Sequence, residues 1–179
     1  MFPDDVDYLP EAPAHDLQIE TINEEAFGPG RFTRAAYRIR EDGGHERSLS
    51  YVAIHEGAVV ASVRMTRVIA GEGSGLLLGP LAVRPQFKNL GIGRRLVAIA
   101  LDKAAKTGYA AVILVGDAPY YGPLGFAQIP YGLISMPRPV DPNRLLVHEI
   151  LPGAIQRFHG ELRHASRHIS QAVDRSDAA

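Results

Sequence analysis

Cysteine is absent from the 179 residues. That removes a disulfide framework, a thiolate metal site and a cysteine nucleophile together, so an acyl-cysteine intermediate is excluded. Charge of one sign is lacking too: 19 Lys and Arg face 20 Asp and Glu, a formal net charge of −1. This balance offers no bulk attraction to nucleic acid or to an anionic membrane surface, although a local basic spot for a phosphate-bearing ligand is compatible with it. No apolar run approaches the roughly 18 residues of a membrane-span candidate. Met1 to Asp7 holds three aspartates and no basic residue, unlike the start of a secretory signal. A cytoplasmic location is expected.

What is present is ordinary for a globular chain, 46% hydrophobic and 22% charged, and the length suits one domain with one core. Residues 1–15 contain three prolines and several acids and are expected to be extended or loosely ordered. Ile19, Ile22, Ala26 and Phe27 recur at helical spacing up to Gly28-Pro29-Gly30. Phe32, Ala35, Ala36 and Ile39 predict a second helix closed by Gly43-Gly44. Leu49 to His55 and Ala58 to Ile69 read as a hairpin through Glu56-Gly57. After a turn at Gly71 to Gly75, Leu76 to Val83 is nearly all apolar, as in a central strand buried on both faces.

The clearest helix runs from Gly91 or Ile92 to Thr107, with Ile92, Leu96, Val97, Ala100, Leu101 and Ala104 on one face and Gly108 as its stop. Ala110 to Val115 follows as a buried strand, and a crossover of this kind makes the two strands parallel. Phe126 to Met136 and Leu145 to Ile150 read as further strands, and Pro152 to Val173 as a polar helix with a frayed tail. The domain proper is expected over residues 16–151, with 152–179 as a C-terminal helical segment.

Chemistry concentrates between the strand and the helix, at Arg84-Pro85-Gln86-Phe87-Lys88-Asn89-Leu90-Gly91-Ile92-Gly93-Arg94. Two glycines at a helix mouth let the backbone approach a ligand closely. The free N–H groups of the first turn and the positive dipole end favour an anion. Lys88, Arg94 and Arg95 add charge at that end, and a bound phosphate or pyrophosphate is expected. Neither rival phosphate motif is complete: Leu96 stands where a dinucleotide fingerprint needs a third glycine, and there is no Gly-Lys-Ser/Thr of a P-loop.

The stretch Gly79-Pro80-Leu81-Ala82-Val83-Arg84-Pro85, followed by Gly91-Ile92-Gly93-Arg94-Arg95-Leu96, resembles motif A of the GCN5-related N-acetyltransferases (GNAT). That family's loop reads Gln/Arg-x-x-Gly-x-Gly/Ala; here it is Lys88-x-x-Gly91-x-Gly93, with a point donor in place of the usual first residue. A second segment, Asp117-Ala118-Pro119-Tyr120-Tyr121-Gly122-Pro123-Leu124-Gly125-Phe126, is similar to the family's Phe/Tyr-Tyr-x-x-Leu/Phe-Gly-Phe signature. With Leu78-Gly79-Pro80-Leu81-Ala82-Val83, the pattern most resembles the YhbS-like predicted acetyltransferases. The resemblance covers about half the chain, roughly Ser48 to Met136.

The resemblance implies an α/β fold: a central mixed, twisted sheet with a splayed parallel strand pair and helices on both faces. It implies acetyl-CoA as cosubstrate, without a metal, bound between Leu76–Val83 and Ala110–Val115. Backbone groups of Leu81, Ala82 and Val83 would hold the pantetheine, and Lys88, Asn89, Leu90, Gly91, Ile92, Gly93 and Arg94 the pyrophosphate. Tyr121, five residues before Phe126, would be the general acid that protonates the departing thiolate. Tyr120 would pack against the cofactor or core. Asp117 would cap a helix, polarise a water or bind the pantetheine. The base is left open among Glu72, Asp117, His148, Glu149 and water.

The implied reaction is transfer of an acetyl group to the amine of a small molecule or a protein by direct attack. The alternative is a non-catalytic acyl-CoA sensor. A monomer and a homodimer both fit. Elsewhere, His164 and His168 have the i,i+4 spacing of metal ligands but lie with His159, Arg163 and Arg167 in what reads as a solvated basic face, one that would suit an acidic partner or the CoA 3′-phosphate. Arg64, Thr66 and Arg67 read as an ordinary exposed strand face, with reach to an acceptor as the alternative.

Overall fold

Ala58–Ala70, rich in valine and free of glycine and proline, forms a 13-residue strand, β3, as β-branched residues favour. The computed structural model describes residues 5–167. Tyr51–His55 (β2) pairs antiparallel with β3, with a register shift between Ala53 and Ile54. Between them Glu56 has φ 49 and Gly57 φ 78, the pair of left-handed residues of a type I′ hairpin turn. Val6–Pro10 (β1) extends the ladder on the other side of β2, from Val6↔His55 to Pro10↔Tyr51. Within the N-terminal segment, Val6–Pro10 is thus a sheet strand and Pro13–His15 a 3₁₀ turn.

β4 spans Gly73–Val83, beginning three residues before the expected Leu76, and leads to α3, Ile92–Lys106, and β5, Ala111–Val115. β4 and β5 are parallel, with Leu76↔Val112 and Leu77↔Ile113 as partners; both strands run on past this short ladder. The other helices are α1 (Asp16–Phe27), α2 (Ala35–Glu41) and the single turn α4 (Ala118–Tyr121). The later strands are β6 (Ala127–Gln128), β7 (Ile134–Ser135), β8 (Leu145–Glu149), β9 (Gly160–Glu161) and β10 (Arg163–His164). The main sheet has the order β1-β2-β3-β4-β5-β8-β6 with β10 against β3, and β7 pairs with β9 separately.

The residues group into two compact units. One contains the chain up to Phe32 with His45–Met65 and Leu78–Gly108; the other contains Thr33–Gly44, Thr66–Leu77 and the chain from Tyr109 on. In the first, Ile19 and Ile22 of α1 pack with Val52, Val59 and Ala82. Neighbouring strand residues point to opposite faces: Val52 meets α1, while the phenol of Tyr51 feels Asp102 and Lys106 of α3. Helices therefore cover both faces there. In the second unit, Ile39 of α2 joins Leu77, Ile113, Val147, Phe158 and Leu162 in one core. The Phe158 ring lies where Cβ atoms on Gly73 and Gly75 would be, and a Cβ on Gly75 would come within 2.6 Å of the Ala111 carbonyl oxygen.

Two expectations are corrected. Phe126 to Met136 is not one strand: β6 ends at Gln128, and Pro130, which lacks an N–H for a ladder, begins a turn closed by the Leu133 N–H on its carbonyl (3.1 Å). From Pro152 to Ala165 the chain forms a 3₁₀ turn, Ala154–Arg157, then β9 and β10, instead of a helix. Ile155, Phe158 and Leu162 have helical spacing, but Gly153 and Gly160 both sit at φ 81 and break the run. The rest of that segment, beyond Arg167, lies outside the described residues. Among the described residues no helix is long and apolar enough to cross a membrane.

Candidate active site

The backbone after β4 is shaped for an anion. The Arg84 N–H donates to the Val60 carbonyl (2.9 Å) and ends the strand. Pro85–Phe87 makes a 3₁₀ turn, held by an edge contact of the Phe87 ring with His55 at 5.3 Å. Asn89 (φ 63) and Gly91 (φ 81) both enter the left-handed region, which asparagine tolerates and glycine occupies without strain. Gly91 is the N-cap of α3, and no side chain caps that end. The first N–H to bond back is that of Arg95, to the Gly91 carbonyl (3.0 Å). Those of Ile92 and Gly93 precede it and have no acceptor within the helix.

Lys88, Asn89 and Leu90 are exposed, whereas Ile92 and Gly93 are buried beneath them. Arg94 and Arg95 are exposed in the first turn of α3. The positive end of the helix dipole and these cations add in the same place. On β4, Leu81 and Val83 are half-buried, and Ala82 between them is 2% exposed in the α1 cluster. The loop residues and these three strand residues all belong to the first unit.

Asp117 and Tyr121 belong to the second. Asp117 takes the N-cap position of α4, and its backbone carbonyl accepts from the N–H groups of Tyr120 (3.0 Å) and Tyr121 (3.1 Å). Its carboxylate does not cap the helix; it accepts from Arg144 Nε at 3.1 Å, in solvent. Tyr121 is half-buried. Burial pushes its phenol well above the ordinary value of 10.0, the negative groups of Tyr120 and Asp117 add to this, and Arg144 opposes it. The hydroxyl therefore keeps its proton throughout the neutral range.

The open candidates for a base are dispersed. Glu72 is exposed in the turn before β4. The Glu149 carboxylate accepts the Ile155 N–H (3.1 Å). His148 is half-buried on β8. His164 lies on a strand: 6% exposed on β10, it contacts the Gly44 carbonyl through Nε2 (3.0 Å), and its Nδ1 accepts the Ser166 N–H (3.0 Å). His159 is exposed and its ring packs over Gly71; His168 lies outside the described residues. No group of three or more His, Cys, Asp or Glu is placed to hold a metal among the described residues.

Arg64 and Thr66 do not stand on an exposed strand face. Thr66 is fully buried, and only Arg67 is exposed. Arg64 joins a cluster that the sequence reading missed, centred on Glu11, whose side chain is 0% exposed. The Glu11 carboxylate accepts from Arg64 Nε (3.0 Å) and Arg47 Nη1 (3.0 Å) and pairs with His45 Nε2 (2.6 Å). Asp16 takes a two-pronged contact from Arg47 at 2.7 and 3.0 Å. Burial raises the Glu11 carboxyl, and hydrogen bonds from His45 and Arg64 with their charges outweigh it, so the net shift is downward.

Residues 17–126 match the model of the Acetyltransferase (GNAT) family. The chain is 31% identical to the N-acetyltransferase YjhQ of Escherichia coli over 112 residues, 60% of this chain and 62% of YjhQ. It is 28% identical to YhbS of the same organism over 153 residues, 84% of this chain and 90% of YhbS. The crystal structure of YhbS in complex with CoA superimposes with a TM-score of 0.77 at 24% identity, covering 94% of this chain and 95% of that one. A GNAT-family acetyltransferase from Brucella melitensis in complex with acetyl-CoA shares the fold, with a TM-score of 0.57 at 23% identity over 83% of this chain and 97% of its own. The family match spans more than half of the sequence and includes both the glycine loop and Tyr121: this chain belongs to the acetyltransferase (GNAT) family.

Proposed function

We propose that the protein transfers an acetyl group from acetyl-CoA to a primary amine by direct attack within a ternary complex. The observation that carries this reading is the start of α3, which no described side chain caps, behind the exposed Lys88-Asn89-Leu90, a ready site for the pyrophosphate. Lys88, Arg94 and the N–H groups from Asn89 to Arg94 hold that group, and the backbone of Leu81, Ala82 and Val83 pairs with the pantetheine arm. The CoA and acetyl-CoA complexes of YhbS and of the Brucella protein support the choice of ligand.

The attacking amine must be neutral, and a free lysine-type amine has a pKa of about 10.4, so its proton leaves to water. The nitrogen then bonds to the thioester carbon. The Val83 N–H stabilises the charge that develops on oxygen. The C–S bond breaks, the nitrogen gives up its second proton to water to leave the neutral amide, and the thiolate takes a proton from Tyr121, which regains one from water. Asp117 orients Arg144 beside that tyrosine and does not itself transfer protons. The acceptor is the amine of a small molecule or of a protein.

Thermal unfolding with acetyl-CoA, with ATP as the control, tests the reading. Ligand at 100 times its Kd adds about 2.7 kcal/mol, which for a domain of this size is a shift of roughly 5–11 °C. A shift with acetyl-CoA and little with ATP is expected; no shift at millimolar acetyl-CoA refutes the cofactor. Thiol release then identifies the amine, against a chain that has no cysteine of its own.

A further inference from the structure

Tyr121 stands in a row of rings that runs from α4 to β8. Its centroid lies 5.7 Å from that of Phe126, edge-on at 69°, and Phe126 lies 5.5 Å from the His148 imidazole at 53°. The Phe126 N–H also donates to the Tyr121 carbonyl (3.3 Å), and the Phe126 side chain is almost fully buried. His148 faces Val112 across the β5–β8 ladder, which fixes its backbone to the sheet.

Two glycines make room for the row. Gly125, at φ 87, has no Cβ where the imidazole sits; one placed there would be 2.8 Å from His148 Nδ1. Gly116, where β5 ends, lies under the Tyr121 ring, and a Cβ there would overlap that ring. Tyr120 closes the side, edge-on at 4.8 Å. His148 Nδ1 is buried and has no hydrogen-bond partner among the described residues. The imidazole is therefore seated by packing, and it acts on its neighbours through its shape.

We propose that His148 is a positioning residue for Tyr121: its ring wedges Phe126 against the phenol and holds the phenol over Gly116. The inference rests on Tyr121 being the proton donor and adds the residue that aims it. Aim matters because a displacement of about 1 Å at a reacting group costs on the order of a hundredfold in rate. Imidazole and phenyl rings fill similar space, so His148→Phe preserves the wedge and His148→Ala removes it. Gly116→Ala disturbs the same phenol by direct contact with its ring.

The test compares these variants in the full chain. Tyrosine labelled with ¹³C at the ζ carbon gives a signal assigned to residue 121 by its loss in Tyr121→Phe. His148→Ala and Gly116→Ala should both move that signal while the acetyl-CoA thermal shift is retained, and His148→Phe should leave it in place. Acetyl-CoA-dependent thiol release, with a polyamine and a lysine peptide as amine probes, should fall about tenfold in kcat in His148→Ala with KM for acetyl-CoA unchanged. In the Tyr121→Phe background His148→Ala should add less than about twofold, since the two residues act as one unit. An unmoved signal in a folded His148→Ala or Gly116→Ala protein overturns the positioning role, as do additive losses or a His148→Phe protein as impaired as His148→Ala. Full turnover in Tyr121→Phe overturns the donor role itself, a separate result.

Discussion

Glu11 holds a carboxylate away from solvent beside His45 and the guanidinium groups of Arg47 and Arg64. Removing it leaves Arg64, whose side chain is only 13% exposed, with the more exposed Asp16 and Glu20 as its remaining counter-ions. Breaking a buried pair from one side costs about 3–5 kcal/mol, and urea unfolding of Glu11→Ala should show a loss of that order. The pH dependence has a definite sign. The carboxyl titrates below its ordinary value of 4.5 in the folded chain, so its stabilisation is complete above that value and fades as pH falls through the lower, folded pKa. Glu11→Gln should lower stability at neutral pH and flatten the loss between the ordinary and the folded pKa. An acid-unfolding curve parallel to that of the parent chain contradicts this.

At the scale of elements, the loop before α3 depends on backbone that few residues accept. Gly91 at φ 81 admits no β-branched side chain without about 1–2 kcal/mol of strain. Gly91→Val should lower the melting temperature and reduce the acetyl-CoA shift more than it reduces stability, because the same turn presents the pyrophosphate donors. An intact ligand shift in that variant removes the loop from the cofactor site. This loop was legible in the sequence because its parts are contiguous: a strand, two glycines and an amphipathic helix within some thirty residues. The β2–β3 hairpin, β5 and β8 were legible through turn residues and apolar runs for the same reason. The Glu11 cluster was not, since its partners lie 34 to 53 residues away in sequence. The C-terminal strands were misread because Ile155, Phe158 and Leu162 keep helical spacing while glycines at positive φ turn the chain.

Across the whole molecule, the chain passes between its two units five times, at residues 32/33, 44/45, 65/66, 77/78 and 108/109. β3 and β4 each contribute to both. No single cut separates the units, so residues 1–108 alone should lack a cooperative transition by circular dichroism, although they hold every segment of the first unit. A sharp melt for that fragment contradicts the account. The interleaving also orders events during synthesis. Ile39 emerges from the ribosome early, whereas Phe158 and Leu162, its partners in one core, emerge more than a hundred residues later. The second core lacks these two side chains until then, and the nascent chain can complete that core only after Leu162 has been made.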